Sequence, residues 1–126
     1  MEVEVSLSPE FVNTIPDLSS VAVKSYIILR AVENLTQPSD GFVQISYETL
    51  SIQTGIKSTK TLREAIVELT LSGWIEDYKK GGYKTTETGR VNYSNQYKLS
   101  DKKLDQELIK RIYKKMKSER KKGRLK

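Results

Sequence analysis

The stretch ISYETLSIQTGIKSTKTLREAIVELTLSGW, residues 45–74, decides the fold of this chain. A serine, which is a favourable N-cap residue, precedes each of two helical segments, residues 47–54 and residues 59 to about 72. Gly55 lies between them and predicts a left-handed helix end, because glycine has no Cβ to clash there. The stretch therefore predicts two helices joined by a very short turn.

The second of these helices has one apolar side and one polar side. Its apolar residues recur at three- and four-residue spacing, which marks a face directed at a core. They are Leu62, Ala65, Ile66 and Leu69. At about 100° per residue, the opposite side is left to solvent or to a ligand. The residues on that side are Lys60, Arg63, Glu64 and Val67. A short helix, a glycine corner and an amphipathic second helix are the parts of a helix-turn-helix.

The flanking sequence predicts an α+β fold that is mostly α. Upstream, Ser19 or Ser20 can cap a long helix, and residues 42–45 form an apolar run of strand type. The buried face of that helix is predicted to carry Val23, Tyr26, Ile27, Ala31 and Leu35. Downstream, residues 74–78 and 96–99 favour strands, and the polar residues 79–95 favour a long loop between them. Trp74 is expected to pack in the core or the hairpin.

The ends of the chain suggest two appendages to one domain. We expect residues 1–17 to form an N-terminal arm, residues 18–100 the domain, and residues 101–126 a C-terminal amphipathic helix with a basic tail. The helix is predicted to begin at Asp101. Its apolar residues recur every four positions and are Leu104, Leu108, Ile112 and Met116. This stripe can cover its own domain or join a second copy, so a homodimer through residues 104–116 is an open expectation.

Composition excludes several kinds of chemistry. The chain has no cysteine and no histidine, which removes disulfides, a thiol nucleophile, the usual general base and the commonest transition-metal ligand. We therefore expect no enzymatic activity, no cofactor and no metal. No apolar run approaches the roughly 20 residues that a membrane span needs, and no signal peptide is evident, so a cytoplasmic protein without membrane contact is expected.

Charge is distributed unevenly along the chain. The formal net charge is +6, yet residues 1–56 hold two basic and seven acidic residues. Positive charge begins at Lys57, and residues 110–126 hold ten basic residues against Glu119 alone. A polyanionic partner approaching the second half of the chain is the natural physical interpretation.

Over residues 18–100 the order of elements resembles the winged helix-turn-helix domains of phage and plasmid replication proteins. Similar domains are the N-terminal domain of phage replication protein O and those of primosomal DnaD-type and plasmid initiator proteins. The segments that carry the resemblance are residues 45–50, 54–56, 60–66, 69, 73–75 and 95–99. The resemblance implies binding of double-stranded DNA, with the second helix in the major groove and residues 79–95 acting as the wing.

We predict thirteen DNA-binding residues on this basis. Arg63 suits bidentate contacts with guanine, Val67 suits a thymine methyl group, and the wing suits the backbone or minor groove. The full set is Tyr47, Lys57, Ser58, Thr59, Lys60, Arg63, Glu64, Val67, Lys79, Lys80, Tyr83, Lys84 and Arg90. The alternative is that these are ordinary solvated residues on an amphipathic helix and a soluble loop.

The function expected from these patterns is sequence-selective binding of double-stranded DNA in plasmid or phage replication, partition or transcriptional control. Two alternatives remain open at this point. One is a protein-interaction adaptor on the same scaffold that recruits a replication or partition protein, for which the acidic residues 1–56 suit a basic partner. The other is an RNA-binding protein, because a basic tail does not distinguish nucleic acids.

Overall fold

The computed structural model describes residues 5–124, without the side chains of residues 83, 84, 86, 90–93 and 118–124. Over this range the chain is an α+β protein, mostly helical, with antiparallel sheets. Its elements are α1 (Pro9–Thr14), a 3-10 turn (Ile15–Asp17), α2 (Ser20–Thr36), β1 (Phe42–Gln44), α3 (Tyr47–Thr54), α4 (Thr59–Leu71), β2 (Ile75–Lys79), β3 (Gly82–Thr86), β4 (Gly89–Tyr93), β5 (Gln96–Leu99) and α5 (Gln106–Arg124).

Two sheets are formed from these strands. The first has the order β1-β5-β2, so the last strand lies between the other two, with Tyr97 opposite Val43 on one side and Tyr78 on the other. The second is the hairpin β3-β4, which pairs only with itself among the described strands. The hairpin β3-β4 is therefore a separate two-stranded unit within the connection between β2 and β5.

The two helices of residues 45–74 are confirmed, and local signals explain both. The Oγ of Ser46 accepts the amide of Thr49 at 3.0 Å, and the Oγ of Ser58 accepts that of Thr61 at 3.2 Å. Gly55 has φ +77, the left-handed conformation expected of it. The predicted stripe on α4 is also confirmed, since all four of its residues are buried.

The prediction of a loop over residues 79–95 is wrong, because most of this segment forms β3 and β4. Its polar composition suggested a loop, yet it contains threonine, tyrosine and valine, which favour strands when they pair across a hairpin. The strands pair in register from Gly82 opposite Tyr93 to Thr86 opposite Gly89. Gly89 has φ +130, a conformation that permits the tight turn.

The predicted N-terminal arm packs onto the domain. Phe11 in α1 is fully buried, with its ring stacked on that of Tyr26 at a centroid distance of 3.9 Å. It also meets the ring of Trp74 edge-on at 5.2 Å. Trp74 is itself fully buried, as predicted. Residues 5–8 form no strand, and residues 1–4 lie outside the described residues.

On α2 the predicted buried face is only partly correct. Tyr26 is buried, but Leu35 is 53% exposed, and Arg30 is buried instead. The Arg30 guanidinium donates to the Tyr26 hydroxyl, to the Ser100 carbonyl and to the carboxylates of Glu33 and Asp101. These bonds satisfy a buried charge, which is why an arginine replaces an apolar side chain here.

The C-terminal helix begins later than predicted, at Gln106 instead of Asp101. Residues 100–105 form a connection whose Leu104 amide donates to the Gly73 carbonyl at 3.0 Å, and the Asp105 carboxylate accepts the Leu108 amide at 2.9 Å. The buried residues among the described side chains of α5 differ accordingly from the predicted stripe and are Ile109, Ile112 and Met116.

The packing of α5 bears on the expected homodimer. The side chains that are buried among the described residues of α5 cover its own domain, and Leu108 is 37% exposed. A homodimer through residues 104–116 stays a prediction, and it would have to use exposed side chains such as Leu108.

An ion pair connects α5 to β2, and we expect it to make the stability of the protein depend on pH. The Lys115 ammonium lies 2.9 Å from Asp77 Oδ1, which also accepts the Tyr78 amide. Partial burial of Asp77 raises its pKa, but these two donors outweigh burial and lower it below the ordinary aspartate value. A lowered pKa contributes stability above the unfolded-state value of about 3.9 and loses it as the pH falls through the folded-state value.

Asp77→Asn is therefore expected to destabilise the protein at pH 7 by at most about 1 kcal/mol, because the pair is partly exposed and screened. The difference between variant and wild type should shrink as the pH falls below the unfolded-state value of about 3.9. Urea unfolding of both proteins at pH 7 and pH 3 measures it. An equal difference at the two pH values would mean that the Asp77 charge contributes nothing.

Candidate nucleic-acid interface

α4 has a rigid buried side and an open outer side. Its inner side is held by Leu62, Ala65, Ile66, Leu69 and Thr70, which are all at most 2% exposed. On the outer side Lys60 and Glu64 are exposed, and Arg63 and Val67 are half-buried. The packing thus fixes the direction in which these four outer residues face, as a surface that reads a ligand requires.

The N-terminus of α4 is also open to solvent. Lys57, Ser58 and Thr59 are all exposed, and the Ser58 side chain caps the Thr61 amide. The first amides of a helix have no partner within it and carry partial positive charge. Together with Lys57, this end of α4 is suited to an anion such as a phosphate.

Tyr47 and Arg63, predicted separately, are brought together by the turn between α3 and α4. The Arg63 guanidinium carbon lies 5.9 Å from the centroid of the Tyr47 ring, a cation–π arrangement. Burial raises the pKa of the neighbouring Tyr97 well above its ordinary value, and the proximity of Tyr47 adds to this effect. The Tyr47 ring thus helps to orient Arg63 on the outer side of α4.

The residues predicted for the wing fall into two groups. Lys79 ends β2, where its ammonium lies 4.2 Å from the Phe42 ring centroid and 3.9 Å from Asp40. Lys80 is exposed just before the hairpin. Tyr83, Lys84 and Arg90 belong to β3 and β4, but their side chains lie outside the described part of the chain.

The carboxylates around α4 serve other groups. Glu68 accepts the Ser19 amide at 2.7 Å and the Ser19 hydroxyl at 2.6 Å, so it helps to cap α2. Glu76 lies 3.7 Å from Lys98 on the neighbouring strand. Among the described residues no group of three or more acidic side chains is placed to hold a metal ion.

Comparison of the chain with protein-family models, with curated proteins and with solved structures found no match. Within residues 5–124 no helix has the length and apolar content needed to cross a membrane.

Proposed function

We propose that this protein binds double-stranded DNA sequence-selectively, as a winged helix-turn-helix domain, and has no enzymatic role. The observation that carries the proposal is the outer side of α4, where the exposed Lys60 and the half-buried Arg63 lie on a helix fixed on its other side by buried residues. In this proposal residues 58–72 enter the major groove and residues 79–95 contact the backbone or the minor groove.

The arrangement of elements supports a winged helix. A helix, a strand, two helices across a short turn, a strand, a hairpin and a returning strand follow one another from α2 to β5. The returning strand lies in the middle of the three-stranded sheet, and the hairpin joins the end of β2 to the start of β5. In this proposal the outer side of α4 and the hairpin make two separate contacts to one duplex.

The residue types on α4 fit base and backbone contacts. The planar fork of Arg63 matches the O6 and N7 acceptors of guanine, and the Val67 methyl groups match the thymine methyl. Lys60 and the open N-terminus around Ser58 fit phosphates, which fix register without reading sequence. The cation–π contact with Tyr47 limits the freedom of Arg63 and so reduces the entropy that binding costs.

The biological role follows from the resemblance to replication proteins. We propose that the DNA site belongs to a plasmid or phage replication, partition or regulatory region. The cytoplasm is the compartment in which such a site is found.

A titration with three nucleic acids tests the proposal. Duplex DNA, single-stranded DNA and duplex RNA of matched length are each titrated at 50 mM and about 200 mM salt, which separates electrostatic from specific binding. Preference for duplex DNA with a steep salt dependence supports the proposal, and preference for duplex RNA refutes it in favour of an RNA-binding protein. Binding to none of the three would favour the adaptor that recruits a protein partner.

Arg63 provides the sharpest single-residue test of base recognition. Arg63→Ala is expected to weaken binding to a selected site by about 1–3 kcal/mol while leaving binding to random duplex nearly unchanged. Arg63→Lys keeps the charge but loses the bidentate fork, so it should lose most of the same selectivity. Binding isotherms on both duplexes measure the effect.

Lys24→Ala is the matched control, because Lys24 is an exposed cation on α2 and not on α4. Lys24→Ala should change the binding free energy for the selected duplex and for the random duplex by no more than a few tenths of a kcal/mol. If Arg63→Ala weakens binding to the selected and the random duplex equally, Arg63 contacts phosphates. The proposed recognition of bases would then lack its main residue.

A further inference from the structure

The course of α5 is set by contacts at two points along the segment from Gly73 to the middle of β2. Near its start, the Leu104 amide donates to the carbonyl of Gly73, which lies two residues before β2. Further along, Lys115 pairs with Asp77 in the middle of that strand. Leu104, just before α5, thus meets Gly73, just before β2, and the later Lys115 meets the later Asp77. Therefore α5 follows β2 in the same direction, towards the hairpin β3-β4.

α5 continues beyond its packed part. Met116, whose sulfur lies 3.4 Å from the Thr70 hydroxyl, is the last residue of α5 found buried among the described side chains. The helix runs on to Arg124, eight residues further, which is about 12 Å at 1.5 Å per residue. This extension is directed towards the end of the molecule where β2 passes into Lys79, Lys80 and the hairpin.

The outer side of α5 carries a regular row of cations. Lys110, Lys114 and Lys117 follow at spacings of four and three, which places them on one face of the helix, and all three are exposed. The Lys117 ammonium lies 5.6 Å from the Tyr113 ring centroid, which holds it along the helix. Among the described carboxylates none forms an ion pair with these three lysines.

We propose that α5 is a second, sequence-independent contact to the same DNA duplex, in which the lysine row Lys110, Lys114 and Lys117 binds the phosphate backbone on the wing side of α4. A row of uncompensated cations on a fixed helix is complementary to a row of phosphates, and its direction leads to the basic start of the wing. This inference rests on the proposed function and adds to it an ordered surface on α5.

Two triple variants test this surface in the full-length protein. The first is Lys110→Gln, Lys114→Gln, Lys117→Gln. The control is Lys24→Gln, Lys102→Gln, Lys103→Gln, which removes the same charge from exposed positions on α2 and on the connection before α5. Glutamine is a good helix former, so α5 should keep its structure, which circular dichroism and thermal melting verify.

Affinity for duplex DNA is measured across a salt series, and hydroxyl-radical footprinting locates the protected sugars. Each lost phosphate contact lowers the slope of log K against log salt by about 0.9, so the α5 variant should lose up to about 3 and the control almost nothing. Selected and random duplexes should weaken together, and protection should shrink on one side of the site.

The outcomes separate this inference from the proposed function. If the wild type binds DNA and the two triple variants have equal slopes, the α5 surface is refuted while DNA binding stands. If the wild type binds no duplex DNA, the proposed function itself fails. A footprint that stays unchanged in the α5 variant would also overturn the α5 contact, whatever the affinity.

Discussion

Replacing Phe11 by alanine is expected to lower the free energy of unfolding by about 3–5 kcal/mol. The ring is fully buried and lies between the ring of Tyr26 at 3.9 Å and that of Trp74 at 5.2 Å. Truncation removes both aromatic contacts and leaves a cavity that the rigid neighbours fill only in part. Two-state urea unfolding, followed by tryptophan fluorescence and by circular dichroism, measures the loss.

Val12→Ala is the matched control in the same short helix. Val12 is 47% exposed, so its truncation should cost less than about 1 kcal/mol. A Phe11→Ala variant as stable as the Val12→Ala variant would mean that residues 9–17 are a dispensable arm after all. The comparison thus decides whether the segment before α2 belongs to the folding unit.

The second large effect is expected at Gly73. Its φ is +87, and an added Cβ would lie 2.8 Å from the amide nitrogen and 3.2 Å from the carbonyl oxygen of Leu104. Backbone atoms cannot move aside as a side chain can, so the connection before α5 must shift. Conformational strain and overpacking together predict that Gly73→Ala destabilises by about 2–5 kcal/mol.

Gly55 separates these two causes. It has φ +77, but no atom lies within 4 Å of an added Cβ, so Gly55→Ala carries only the conformational cost of about 1–2 kcal/mol. Gly55→Val should cost more, because a β-branched residue is worse at positive φ. Thermal and urea unfolding of all three variants measure the order. If Gly73→Ala is no less stable than Gly55→Ala, the close approach of Leu104 does not constrain the fold.

The hairpin illustrates a limit of local patterns. Residues 79–95 were predicted to be a loop because their polar composition outweighs their strand-forming residues. Strand formation there depends on pairing between two segments that are each too weak to predict alone. Of the predicted wing contacts, the structure places Lys79 and Lys80 by side chain and Tyr83, Lys84 and Arg90 only by their strands.

Arg30 and Leu35 show a second limit. The sequence pattern predicts that Leu35 lies on the buried face of α2, and it makes no prediction for Arg30. In the fold Leu35 is 53% exposed, whereas Arg30 is buried because the end of β5 brings the Ser100 carbonyl and Asp101 to it. Partners about 70 residues away decide which side of α2 is inside.

The sequence by itself determined the features whose causes are local. These are the capping serines before α3 and α4, the left-handed corner at Gly55 and the apolar stripe of α4, each set by groups within about four residues of one another. Tertiary structure alone decided the burial of Phe11, the start of α5 and its course along β2. Each of these depends on which distant part of the chain offers a partner, as the Gly73 carbonyl does for the Leu104 amide. Chain entropy opposes such contacts until the rest of the domain has folded.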